Sequence, residues 1–150
     1  MNNQTKYRIA WLDIAKGIAI LCTIIGVMFY ISQKRTPRKL IKTHCNIDLC
    51  WHYNIDVFTD TWGWNGDGET FIIITIPQDA INKIELQCIK NRFNSLPIKD
   101  SLQDNIIYKY LSDENKGYYM LKKDHNDNRN YMIAIFNEST NKFILHYILY

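Results

Sequence analysis

WHYNIDVFTDTWGWNGDGETFIIITI, residues 51–76, is the stretch on which the fold turns. On its N-terminal side Trp51, Tyr53, Ile55 and Val57 alternate with His52, Asn54 and Asp56, the two-residue period of a half-buried strand. On its C-terminal side TFIIITI is an almost unbroken β-branched and aromatic run, suited to a central place in a sheet. Between them Asp60–Glu69 holds Gly63, Gly66 and Gly68 among turn-forming polar residues. The reading is a hairpin in which Trp51–Val57 and Thr70–Ile76 pair antiparallel across the Asp60–Glu69 connection.

Downstream, Pro77 suits a first helical turn and Asp79 complements a helix N-terminus. Ile81, Ile84, Cys88 and Ile89 then recur at helical spacing. The loop RFNSLP ends this helix, and Asp100 or Ser101 caps a second one with Leu102, Ile106, Tyr110 and Leu111 on one face. After Gly117, the segments YYMLKK, YMIAIF and FILHYIL read as strands, joined by the turn-like DHNDNRN and NESTNK. This order predicts an α+β domain: a small antiparallel sheet of about five strands with two helices on one face.

Upstream, residues 9–31 read IAWLDIAKGIAILCTIIGVMFYI, interrupted by charge only at Asp13 and Lys16. A helix of that length spans a hydrocarbon core of about 30 Å with some tilt. Asp13 and Lys16 stand three apart, so they can pair near one end. No small-residue cleavage site precedes the basic block, which counts against a signal peptide. The flanking cations count against a buried soluble helix. The segment reads as a transmembrane anchor (residues 1–33), its helix at 9–32 almost wholly apolar and not packed into the domain. Residues 34–47 form a basic linker or short helix, and residues 48–150 the soluble domain. The protein is thus expected at the cell membrane as a single-pass protein, meeting lipid through residues 9–32 and the basic segment 34–42.

The net charge of +3 is unevenly placed: Lys34, Arg35, Arg38, Lys39 and Lys42 account for more than all of it. A cation block beside an apolar run suits lipid headgroups. The remainder is slightly acidic, so no nucleic-acid partner is expected. Four cysteines, Cys22, Cys45, Cys50 and Cys88, are too scattered for a disulfide framework. His44 and His52 flank Cys45 and Cys50, but no second close ligand pair completes a structural zinc site, so no metal or other cofactor is expected. A Cys45–Cys50 disulfide stays open, since spacing alone does not decide it.

Arg8, Trp11, Leu12, Asp13, Lys16, Gly17, Ile18 and Ile20, with Gly26 near the helix end, resemble the first transmembrane helix of multi-pass membrane O-acyltransferases acting on sugars and cell-wall polymers. In that family a histidine follows the late glycine; here Val27 stands there, so the resemblance implies a membrane helix and carries no activity over. The domain has a second likeness. Asp60, Thr61, Gly63, Gly66, Asp67 and Gly68, then Leu96-Pro97, then Gly117-Tyr118-Tyr119 resemble the shared pattern of a family of small membrane-anchored proteins of low-GC Gram-positive bacteria. Many of its members carry a histidine where this chain has Asn65. That resemblance implies architecture and an extracytoplasmic location, and supplies no mechanism. The cations after the anchor outnumber Lys6 and Arg8 before it, which by itself argues for a cytoplasmic domain.

Chemistry-bearing residues are dense only at Asp60–Glu69. Asp60, Asp67 and Glu69 with Asn65 offer oxygens, yet their spacing is not that of a helix–loop–helix calcium site. A structural turn, with Asp67-Gly68 at positive φ, explains them more economically. Trp62 and Trp64 would present aromatic surface for a sugar, a peptide or a lipid interface, or else pack on the helices. The binding-loop candidates are therefore Asp60, Trp62, Trp64, Asn65, Asp67 and Glu69. No nucleophile elbow, HExxH or phosphate loop occurs, so no catalytic residue is assigned. His125 and His146 read as solvent-facing or structural. The leading expectation is a non-enzymatic, membrane-tethered binding or accessory domain for a protein or small ligand. The alternative is a tethered hydrolase using Asp67 or Glu69, with or without a metal.

Overall fold

The computed structural model describes residues 16–27, 35–49, 52–99, 105–111, 116–127 and 129–150. The chain divides into two units, Met1–Thr36 and Pro37–Tyr150. In the first, residues 16–27 are helical and every one is exposed, Ile18, Ile20, Leu21, Ile24, Ile25 and Val27 included. No helix among the described residues is long and apolar enough to cross a membrane. The rest of the predicted 9–32 span lies outside the described residues.

The second unit is an α+β domain built on one antiparallel sheet. Its strands are β1 (Asn54–Trp62), β2 (Gly68–Thr75), β3 (Asn94–Ser95), β4 (Gly117–Lys123), β5 (Tyr131–Asn137) and β6 (Lys142–Leu149). They lie in the order β1-β2-β6-β5-β4-β3. The predicted hairpin and C-terminal meander both form, and β6 joins them by pairing with β2 on one side and β5 on the other. The sixth strand is the two-residue β3, too short to leave a periodic signal.

Three details differ from the sequence reading. First, β1 runs on to Trp62, and its alternation breaks at Asp56: Ile55 faces Ile74 and Val57 faces Ile73, so the two point to opposite sides. Asp56 is the extra residue of a bulge, and its carboxylate accepts from Thr75 Oγ1 (2.8 Å) and Lys142 Nζ (3.0 Å). Trp51 and Cys50 lie outside the described residues.

Second, the basic linker is a core element. Helix α1 (Pro37–Cys45) buries Leu40, Ile41 and Cys45, and the chain after it buries Ile47 and Leu49. Its apolar positions 37, 40, 41 and 45 form one stripe, and the cations fill the opposite face. Arg38 reaches across to Asp48 at 3.1 Å.

Third, the two predicted helices sit on opposite faces. Helix α2 (Ile81–Lys90) packs Ile84 and Cys88 beside α1, over Ile72, Ile74, Ala134, Phe136, Phe143 and Leu145. Helix α3 (Asn105–Tyr108) places Ile107 with Tyr110 and Leu111 on the other face, over Ile73, Ile133, Ile135 and Ile144. Its inward residue is Ile107, and Ile106 is exposed. Asp100, Ser101 and Leu102 lie outside the described residues. Adjacent residues Ile72, Ile73 and Ile74 are buried because the sheet is covered on both faces, each fully buried isoleucine contributing roughly 1.5–3 kcal/mol.

Candidate functional site

The Asp60–Glu69 segment is mostly strand. Only Gly63–Asp67 forms the turn, closed by Gly63 N donating to Asp67 O (2.7 Å) and Gly66 N to Gly63 O (3.2 Å). Positive φ falls at Gly66 (+93°), not at Gly68 as the sequence reading has it. Gly68 is needed for another reason. It lies opposite Trp62, and a Cβ there would meet Thr61 O and stand 2.6 Å from the indole.

The pleat separates the acids. Asp60 pairs with Thr70, and Glu69 pairs with Thr61, so the two carboxylates leave the hairpin on opposite faces. On the α1/α2 face, Asp60 Oδ1 accepts from Thr70 Oγ1 (2.6 Å) and Trp62 Nε1 (2.9 Å). Thr70 is fully buried, so this bond keeps its hydroxyl satisfied. The Trp62 indole lies 5.5 Å from the Tyr147 ring, which lies 4.6 Å from His44. Trp62 is thus a packed residue, tying the edge strand to α1.

On the α3 face, Glu69 Oε1 stands 2.8 Å from His146 Nε2, and Tyr131 Oη lies 3.5 Å from His146 Nδ1. His146 is buried, with Phe71 and Tyr131 edge-on to its ring. Of the two readings of His146, solvent-facing or structural, burial excludes the first, and the pairing with Glu69 is one that the sequence reading does not contain. The available signal was an apolar strand carrying one imidazole.

At the apex, Asn65 Nδ2 donates to Asp67 Oδ2 (2.6 Å). Trp64 is different: its side chain is fully exposed. Of the six candidates, then, Asp60, Trp62 and Glu69 hold the hairpin to the sheet, Asn65 and Asp67 hold each other, and Trp64 alone projects. Among the described residues no three His, Cys, Asp or Glu side chains cluster so as to hold a metal ion. His125 is exposed in the loop before β5.

The hairpin apex shares one end of the sheet with other loops, since Gly68 pairs with Leu149, Ile148 with Tyr131, and Tyr131 with Lys123. The β4–β5 loop there is braced by Arg129, whose Nη2 lies 2.7 Å from Asp127 Oδ2 and which stacks 5.3 Å over the Tyr150 ring. That guanidinium holds the Asp127 carboxyl down to about 2.

Comparison of the chain with protein families, curated proteins and solved structures finds no match.

Proposed function

We propose that this protein is a membrane-tethered, non-enzymatic binding module whose β1–β2 hairpin engages a protein or small ligand through Trp64. The observation that carries the reading is the full exposure of Trp64 at the apex of a hairpin that is otherwise tied down. A large rigid aromatic held in water costs little entropy to bury, which suits it to anchor a contact. Tethering is supported by the helical residues 16–27, whose apolar side chains are exposed on all sides. It is supported also by the 23-residue length of the 9–31 run.

Hydrolysis is the second reading, favoured by the Glu69–His146 contact. Against it, His146 is buried, Asp67 is turned to Asn65, and Glu69 and Asp60 face opposite ways. General acid–base chemistry needs both groups within reach of one substrate.

A photo-crosslinking residue placed at 64 in membranes of the producing cell should give a discrete adduct. The same residue at 86, also exposed, should give none. Equal labelling from both positions, or none from 64, would overturn the reading. Flotation with lipid vesicles tests the tether: full-length chain should float, and Ile20→Asp with Ile24→Asp should release it. The family resemblance of the 60–68 turn supports a domain outside the cytoplasm. A Lys123→Cys variant that stays shielded from an impermeant maleimide in intact cells would reverse that orientation.

A further inference from the structure

Helix α1 stops at Cys45, short of the end of the sheet. Asn46 turns left-handed (φ 56°) and leads the chain away toward α2, where its Nδ2 donates to Asn91 Oδ1 at 2.8 Å. Among the described residues only Thr43 and His44 at the end of α1 reach over the last rows of β4, β5 and β6 on that face. A cleft of about 350 Å³ opens there, between Thr43 and His44 on one side and Lys122, Asn130, Met132 and Tyr147 on the other. That volume is at the small end for a ligand site and takes a molecule of about one ring.

The floor is apolar: Met132 is buried, and the Tyr147 ring leans on His44 at 42°. The mouth is cationic. Lys122 Nζ donates to His44 O (3.1 Å), a carbonyl of the last turn of α1. A helix C-terminus repels acids; Lys122 offsets that at the carbonyl itself. Asp124 also lines the cleft, and both its oxygens are engaged: Oδ1 accepts from Asn126 N (2.9 Å) and Oδ2 from Asn130 Nδ2 (3.5 Å). The far wall is rigid, because Asn130 Oδ1 accepts from Tyr150 N (2.7 Å) and so pins the C-terminal residue.

We propose that this cleft is a binding site for a small organic anion built on one ring, its ring over Met132 and Tyr147 and its acid group at Lys122. No residue of the 60–69 hairpin segment lines the cleft, and the site does not depend on the function proposed for Trp64.

The test uses the full chain in lipid nanodiscs, with methionine methyl resonances as the readout and phenyl phosphate as the probe. A saturable shift of the Met132 methyl is expected, with inorganic phosphate and benzylammonium each binding at least about tenfold more weakly. Lys122→Met should weaken phenyl phosphate roughly tenfold, the loss of one charge-assisted contact. Thr43→Trp sits on an exposed helix position, so it should fill the cleft and abolish binding with the melting temperature unchanged. No saturable shift up to about 10 mM would overturn the proposal. So would equal binding of inorganic phosphate, or binding that Thr43→Trp leaves intact.

Discussion

Glu69 and His146, 77 residues apart in sequence, meet across β2 and β6 with Oε1 and Nε2 at 2.8 Å. His146 is 1% exposed, whereas the Glu69 side chain is 43% exposed. The carboxylate is therefore the solvated partner of a buried imidazole. Glu69→Ala removes that acceptor and is expected to cost about 1–2 kcal/mol, while Glu69→Gln keeps an oxygen in place and should cost less. Urea unfolding of the two variants checks the order; equal stability of both with the parent chain would show the contact to be incidental.

Gly68 and Gly66 should fail differently. Alanine at 68 drives a Cβ into Thr61 O and the Trp62 indole, an overpacking that costs roughly 1–3 kcal/mol and shifts Trp62. Alanine at 66 meets nothing within 4 Å but must hold φ near +93°, a penalty of roughly 1–2 kcal/mol with the indole undisturbed. Near-ultraviolet circular dichroism distinguishes them: Gly68→Ala should alter the aromatic signal and Gly66→Ala should not.

Burial pushes the Cys45 thiol up to about 12, and burial beside Cys45 raises Cys88 as well. In the unfolded chain both ionise near pH 9. Above that pH the unfolded state has released protons that the folded state retains, so stability falls as pH rises from about 9 toward 12. Below about pH 8.5 the two thiols should leave stability flat with pH. Both should resist maleimide until urea unfolds the domain. Peptide mass spectrometry after timed labelling reads this out, and prompt native labelling of Cys88 would contradict the packing of α2.

Trp64→Ala should leave the unfolding free energy within about 0.5 kcal/mol, because the indole touches water on all sides. Trp62→Ala should cost about 3 kcal/mol, since it strips the Asp60–Thr70 pair of a donor and Tyr147 of a neighbour. Thermal melts of the two variants compare an apex free to bind with a base that is structural. Similar losses from both would mean that the apex is packed after all.

By itself the sequence determined the hairpin, the three C-terminal strands and the run of α2. The apolar β-forming run YMIAIF, turn residues in NESTNK and helical spacing of Ile81, Ile84 and Cys88 are local signals, set by backbone geometry over a few residues. Tertiary structure decided the rest. The Asp56 bulge exists because β1 must keep register with β2, and it reverses which face Ile55 presents. Whether α1 is a linker or core could not be read from a stripe of Leu40, Ile41 and Cys45 beside five cations; it depended on an open sheet face to receive it. The same holds for α3 crossing to the opposite face from α2, since each face buries apolar area equally well and the connection alone does not choose. The acids of the 60–69 segment looked like one cluster in sequence, but the pleat sends Asp60 and Glu69 to opposite sides, where partners from distant strands meet them. Proximity along a strand is not proximity of side chains, and only the assembled sheet shows which side chains meet.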